Sequence, residues 1–561
     1  MKPSPMRVAA VTPRVKVADV DWNADEIIRL SKLIAAESDP AVIVFPELAL
    51  TGYTCGDLFF QKILIEGAER AVARICEQTA FLRQTMVVGC PVVLMDKLYD
   101  CALVIRGGSI LGIVPKYIIS PQESRWFEAG PDYSEDITFA GQQCQMDADI
   151  SFGEFRVKVG DVLNGIFPQS PVTLCLSASP ELAGRQEKRK AALASVSGAV
   201  VYCSNGYGES TDDLVWAGSS LIYENGRLLA ENKRFQREPS WIVADLGANQ
   251  PGIKSAPMDR CTEIFNIQTV ALMSRLEHIH CDKCVIGVSG GLDSTLALLV
   301  ICQAFDRLGY DRKNIFGLTM PCFGTSDRTH SNAWKLMEAL GITAMEINIA
   351  KTVSQHFEDI GQDPSNHDVT FENAQARERT QILMDLSNKV GGIVIGTGDL
   401  SEISLGWCTY NGDHMSMYGV NSGVPKTLMR SMVRQIAKGH PCEATLIDIV
   451  ETPVSPELVP GQVTEDSIGP YELHDFFLEK VLAGEAPRSV LAAAEKAFEG
   501  TYDSPTILKW LKTFYRRFFT QQFKRACSPC GPKVLDISLS PRGDWQMPTD
   551  ASVDLWLKEL D

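Results

Sequence analysis

A chain of 561 residues is too long for one hydrophobic core and predicts two or three domains. Apolar residues make up 45% and charged residues 22%, an ordinary soluble globular mix, and a formal net charge of −17 argues against a nucleic-acid or anionic-membrane surface. No apolar run reaches bilayer-spanning length, the opening MKPSPMRVAAV lacks the pattern of a signal peptide, and sixteen cysteines scattered through apolar stretches suit reduced thiols, so the chain reads as cytoplasmic.

The elements fall into two series. Residues 8–11 predict a strand, 24–36 a helix, and 41–45 a buried strand that ends at Pro46-Glu47. Two runs, 101–105 and 109–114, flank Gly107-Gly108 and predict a hairpin. This pattern implies a layered α/β domain over residues 1–246. A Gly/Pro-rich stretch makes 247–260 a linker to a second domain at 261–561. There a helix (261–280) is followed by strands at 284–288, 315–320, 344–349, 392–395 and 446–450, each separated by helical stretches. Such a series predicts a doubly wound parallel sheet. After Lys524 the chain is loop-rich until a helix near Leu555.

The strongest motif is Gly287-Val288-Ser289-Gly290-Gly291-Leu292-Asp293-Ser294, between an apolar strand and an apolar helix. Glycines let backbone amides approach a pyrophosphate, and a helix N-terminus adds donors and a favourable dipole. Ser289 and Ser294 can donate hydroxyls, and Asp293 can hold the magnesium that accompanies nucleotide phosphates. The Gly-Lys-Ser/Thr ending of a Walker A loop is missing. The motif instead resembles the PP-loop of ATP pyrophosphatases, which cleave ATP to AMP and pyrophosphate.

Further blocks narrow the resemblance. They are Phe371-Glu372-Asn373-Ala374-Gln375-Ala376-Arg377-Glu378-Arg379, Gly396-Thr397-Gly398-Asp399-Leu400-Ser401-Glu402, Gly406-Trp407-Cys408-Thr409-Tyr410-Asn411-Gly412-Asp413, Val424-Pro425-Lys426-Thr427, Thr464-Glu465-Asp466 and Gln522-Phe523-Lys524-Arg525. Together they resemble the synthetase domain of glutamine-dependent NAD synthetases over residues 258–550. The resemblance implies a ligase that activates the nicotinate carboxylate of deamido-NAD with ATP and amidates it with ammonia. It also implies that residues 287–294 and Thr397 bind ATP, and that Asn373, Glu402, Trp407, Cys408, Thr409, Tyr410 and Lys524 bind deamido-NAD. Asp293 and Glu402 would share one magnesium ion; Lys426 and Arg377 are further candidates for phosphate contacts. A flat indole such as Trp407 suits a pyridine ring. The same family implies a homodimer or a larger homo-oligomer.

In the first half, Phe45-Pro46-Glu47-Leu48-Ala49-Leu50-Thr51-Gly52-Tyr53 and Gly112-Ile113-Val114-Pro115-Lys116 resemble the nitrilase superfamily, with its αββα fold. In that superfamily a Glu base, a Lys and a Cys nucleophile hydrolyse amides. The resemblance makes Glu47 and Lys116 two members of such a set, and Ser179 and Arg185 the residues that would bind glutamine. Where the family has a strand ending in Cys-Glu-Asp, this chain reads Phe155-Arg156-Val157-Lys158-Val159-Gly160-Asp161-Val162. Gly160 stands at the cysteine's place, and the segments after Lys116 and after Gly160 are short against the family pattern. The site therefore reads as vestigial, with ammonia as the nitrogen source. The alternative is a working glutamine-dependent enzyme in which the register differs or Cys175, on the next strand, substitutes.

Two signals stand outside this reading. Cys281-x-x-Cys284 and Cys527-x-x-Cys530 have zinc or redox spacing, but Cys284 begins the strand that feeds the PP-loop. The aromatic and basic residues from Tyr515 to Arg525 resemble a single-strand nucleic-acid surface, yet in an acidic chain packing is the simpler use for them.

Overall fold

The computed structural model of the protein describes residues 5–324, 327–453, 455, 458–459 and 463–561. The chain forms two compact units. One comprises residues up to Ser210 with Val215–Asp259, and the other comprises Thr211–Leu214 with Arg260–Asp561.

The first unit is built on two sheets. One runs in the order Ser240–Leu246, Met6–Thr12, Val42–Val44, Thr85–Leu94, Lys97–Arg106, Ser109–Pro115, Gln142–Met146, Glu135–Phe139. The other runs Arg227–Glu231, Leu221–Glu224, Ala199–Ser204, Val172–Ser177, Phe155–Val159, Ser151–Phe152. Alternation along a strand sends neighbouring side chains to opposite faces. Val8 and Ala10 therefore join Val44, Val87 and Val104 against Val157, Val159, Leu174 and Leu176 of the facing sheet. Ala9 and Val11 join Ile43 and Phe45 on the outer face, under the helices Val20–Ser38 and Lys62–Thr79. The second sheet is covered in turn by the helix Arg185–Ala194, whose Leu193 packs with Cys175, Val200 and Tyr202. Strands with both faces buried read as continuous apolar runs, and the layers are those of the expected αββα sandwich.

The second unit contains a five-stranded, all-parallel sheet in the order Thr343–Glu346, Ile315–Thr319, Cys284–Gly287, Ile393–Gly396, Tyr418–Gly419. The first, second and third strands in sequence grow one way and the fourth and fifth grow the other. The order reverses between Cys284–Gly287 and Ile393–Gly396. In such sheets ligands bind beyond the carboxyl ends at that reversal.

The sequence expectation fails at one element. Residues 446–450 are not a strand but the end of the helix Glu443–Val450, and the fifth strand is the two-residue Tyr418–Gly419. Leu446, Ile449 and Val450 are buried while Ile447 is 38% exposed, the i, i+3, i+4 spacing of a helix face. A short run of β-branched residues hides that period when read alone.

Beside the sheet, the helices Tyr471–Leu482, Pro487–Ala497 and Ser504–Thr520 pack around Phe477, Leu511, Phe514 and Phe518. This buries most of the 515–525 stretch: Tyr515, Phe518 and Arg525 are at most 1% exposed and Phe519 6%, while Phe523 stays 44% exposed. Among the described residues no helix is long and apolar enough to cross a membrane.

Candidate active site

A cavity of about 740 Å³ lies at the reversal point of the parallel sheet. The loop after Cys284–Gly287 forms one wall. Gly290 has φ +83°, and a β-carbon there would fall 2.1 Å from the carbonyl oxygen of Thr329, so only glycine fits. Ser289 Oγ accepts the Gly291 N–H at 3.2 Å, and Ser294 Oγ donates to the Gly291 carbonyl at 3.2 Å. The helix Leu292–Leu308 then starts at Gly291 with no side-chain cap, leaving its first amides for an anion. Thr397, just past Ile393–Gly396, lines the same cavity.

Asp293, Asp399 and Glu402 bring carboxylate oxygens within 4.8 Å of one another. Lys426 Nζ lies 2.6 Å from Asp293, 2.7 Å from Asp399 and 3.0 Å from Glu402. Asp293 and Glu402 line the cavity, whereas Lys426 is 1% exposed and Asp399 fully buried behind them. Burial, with Asp293 adding to it against the pull of Lys426, pushes the Glu402 carboxyl up to about 7. Burial also opposes the Lys426 charge, but the three carboxylates outweigh it and hold the ammonium protonated. Three carboxyl groups gathered around one ammonium present hard oxygen donors to the cavity, a donor set that fits a divalent cation such as magnesium.

On the opposite wall, Thr409 Oγ1 donates to Asn373 Oδ1 at 2.7 Å, and Arg377 Nε donates to the Tyr410 carbonyl at 3.2 Å. Lys524 Nζ donates to the carbonyls of Gly406 and Cys408 at 2.7 and 2.6 Å. These bonds clamp the loop 406–410 between the helices Val369–Val390 and Gln522–Arg525. Trp407 is half-buried with the Arg517 guanidinium 5.2 Å from its ring centre, while Tyr410 is 44% exposed. Asn373, Glu402, Trp407, Cys408, Thr409, Tyr410 and Lys524 thus all line the cavity that holds the phosphate loop. Of the sequence candidates, Lys426 is placed differently: it backs the carboxylates and does not line the cavity. Asp399 went unnoticed because a buried N-cap aspartate, accepting the Glu402 N–H at 2.8 Å, has no sequence signature of a binding residue.

The first unit gathers a second cluster. Glu47 follows Val42–Val44, Lys116 ends Ser109–Pro115, and Gly160 ends Phe155–Val159. Lys116 Nζ donates to Glu47 Oε1 and to Glu123 Oε1, each at 2.5 Å, with Asp100 at 3.8 Å; all four residues are buried. Glu47 Oε2 accepts the Ala178 N–H at 2.8 Å. Burial, reinforced by Glu47, pushes the Asp100 carboxyl well up, and Lys116 stays charged against its own burial because of its carboxylate partners. Glu123 and Asp100 were not legible as members. Glu123 sits in a single turn, Glu123–Arg125, that folds back onto Lys116.

Gly160 has φ +114°, and a β-carbon built there would meet Lys116 Cε at 3.0 Å. Ser179 and Arg185 converge on the next residue: Ser179 Oγ donates to Asp161 Oδ2 at 2.7 Å and Arg185 to the same oxygen at 3.3 Å. Cys175 is fully buried on its strand, donates to the Gly160 carbonyl at 3.5 Å, and has its thiol pushed up to about 12 by burial.

Neither CxxC pair joins a cluster of potential metal ligands among the described residues. Cys284 is buried in its strand and Cys281 donates to backbone carbonyls.

A family model described as NAD synthase matches residues 264–512, and one described as carbon-nitrogen hydrolase matches residues 7–174. The glutamine-dependent NAD(+) synthetase of Mycobacterium leprae is 35% identical, over 99% of this chain and 98% of the relative. That of Thermotoga maritima is 26% identical, over 97% and 98%. The crystal structure of a glutamine-dependent NAD(+) synthetase from Cytophaga hutchinsonii has the same fold, with a TM-score of 0.86 at 20% identity over the whole of both chains.

Proposed function

The chain belongs to the glutamine-dependent NAD(+) synthetase family, and we propose that this member takes its nitrogen from ammonia rather than from glutamine. It is an NAD(+) synthetase, a ligase that forms a carbon–nitrogen bond, with ATP as a substrate. In the first step a nicotinate carboxylate oxygen of deamido-NAD attacks the α-phosphorus of ATP and pyrophosphate leaves. The ammonia lone pair then attacks the acyl carbon, the bond to the AMP oxygen breaks, and the nitrogen gives a proton to solvent. Residues 287–294 and Thr397 hold ATP. Asn373, Glu402, the loop 407–410 and Lys524 hold deamido-NAD. Asp293 and Glu402 hold magnesium, which neutralises phosphate charge when bound. Positioning and charge neutralisation carry such a reaction, so no strong acid or base is required of the protein. A homo-oligomer and a cytoplasmic location complete the reading.

The nitrogen assignment rests on one observation. The position facing Lys116 and Glu47 is Gly160, which has no side chain to form a thioester. A working glutaminase is the reading favoured by the intact Glu47–Lys116 pair. It requires a thiolate, and the buried Cys175 thiol is neutral near pH 7. A steady-state assay with ATP and deamido-NAD, comparing ammonium with glutamine, tests the proposal. NAD formation from ammonium alone supports it, and equal rates from glutamine overturn it.

A further inference from the structure

Lys426 is the first residue of the helix Lys426–Ala437, whose N-cap, Pro425, makes no side-chain cap hydrogen bond. A helix leaves its first backbone amides unpaired unless another group takes them. Here two groups from elsewhere in the chain do so. Ser401 Oγ, on the helix Leu400–Leu405, accepts the Lys426 N–H at 2.8 Å. Asp475 Oδ2, on the helix Tyr471–Leu482, accepts the Thr427 N–H at 3.1 Å and the Thr427 hydroxyl at 2.7 Å. The other oxygen, Asp475 Oδ1, accepts the Ser401 hydroxyl.

One carboxylate thus ties together the starts of two helices, and it meets the positive end of the Lys426–Ala437 dipole. Those two helices carry Glu402 and Lys426, whose side chains meet at 3.0 Å beside Asp293. Tyr471, one turn before Asp475 and on the same helix face, places its ring centre 5.3 Å from Lys426 Nζ. The helix Tyr471–Leu482 therefore reaches the lysine in two ways, at its backbone through Asp475 and at its ammonium through Tyr471. Asp475, Ser401 and Thr427 do not line the cavity.

We propose that Asp475 is a positioning residue for the reaction: through Ser401 and the first turn of Lys426–Ala437 it sets the Lys426 ammonium, and with it the Asp293 and Glu402 carboxylates, for a divalent cation. It acts only through these neighbours and touches neither substrate nor metal. The inference rests on the assignment of magnesium to Asp293 and Glu402 given above. Groups that orient metal ligands from behind typically change metal affinity about 10–100-fold when removed. The opposite wall, where Asn373, Thr409 and Lys524 bond to one another's loops, is held by separate hydrogen bonds. Loss of Asp475 therefore acts on the metal and leaves the deamido-NAD contacts in place.

Asp475→Asn replaces one acceptor oxygen by an NH2 donor, which then faces a donor on Ser401 or Thr427. Ser401→Ala cuts the link between Asp475 and the Lys426 N–H from the other side. Each full-length variant is titrated with magnesium at saturating α,β-methylene-ATP, an analogue that is not cleaved, and the rise in its thermal unfolding midpoint is followed. The magnesium concentration for half the rise is expected to increase about ten-fold in both variants. The Michaelis constant for deamido-NAD stays at the parent value. Glu472→Gln, on the same helix but bonded to Tyr502, keeps the parent titration. The inference is overturned if folded Asp475→Asn titrates like the parent, or if the deamido-NAD constant rises in step with the magnesium requirement. Where Asp475→Asn does not fold, Ser401→Ala decides by the same two criteria. Magnesium leaving the parent's midpoint unmoved is a different result, which overturns the assignment of magnesium to Asp293 and Glu402 itself.

Discussion

Gly160 and Lys116 sit so close that a β-carbon on the glycine would lie 3.0 Å from the lysine Cε and 3.7 Å from its Nζ. A side chain at 160 would project directly at the ammonium that Glu47 and Glu123 hold. The backbone there keeps a φ of +114°, which L side chains rarely adopt. Glycine, which has no β-carbon, adopts this backbone conformation without strain.

From this follows a prediction about repair. Gly160→Cys alone is expected not to restore glutamine use. Ser179 and Arg185, the residues implied to bind glutamine, both donate to the Asp161 carboxylate, so those donors are already engaged within the chain. Glutamate release from glutamine and NAD formation should both stay at background in the variant. Glutamine-driven synthesis matching the ammonium-driven rate would sink the idea.

The Lys116 cluster also carries a prediction about stability. Removing one partner of a buried ion pair leaves an uncompensated charge and costs about 3–5 kcal/mol. Lys116→Met should therefore lower the denaturant midpoint of the first unit markedly, while ammonium-driven synthesis continues under conditions where the variant is folded. An unchanged midpoint would show that the cluster contributes nothing to the fold.

The loop and carboxylates of the second unit predict the products of the reaction. A phosphate loop of this kind exposes the α-phosphate, so AMP and pyrophosphate should appear in equal amounts with NAD. Asp293→Ala should remove most activity with the fold retained, because Asp293 is one of two carboxylates that line the cavity beside Lys426. Magnesium protection against thermal unfolding should weaken in the same variant. Detection of ADP and phosphate would refute the mechanism.

His474 supplies a pH dependence. It is buried in Tyr471–Leu482, its Nε2 lies 2.7 Å from the Ile468 carbonyl, and burial holds its pKa down at about 4 against an ordinary 6.5. As pH falls below 6.5 the unfolded chain takes up a proton that the folded chain refuses until about 4. The stabilising contribution is complete above 6.5 and is lost progressively towards 4, to a limit of about 3 kcal/mol. His474→Gln should flatten the loss of stability across that window. The assignment fails if the variant and parent lose stability in parallel.

The sequence by itself determined the strands and loops where chemistry and period coincide. The motif 287–294 predicted its strand–loop–helix correctly, because glycine's freedom at positions such as Gly290 and the apolar periods on either side are local properties. Glu47, Lys116 and Gly160 could be named from three separate stretches. Only the tertiary structure decided that they converge, since three strands of two sheets must stack before their ends meet. Folding alone also assigned Glu123, Asp100, Asp399 and Lys426 their places, because burial and ion pairing are long-range facts that a single carboxylate in a sequence does not carry. Residues 446–450 mark the same boundary from the other side. Five residues cannot separate a strand from a helix, and the choice fell to the face that Leu446, Ile449 and Val450 could bury.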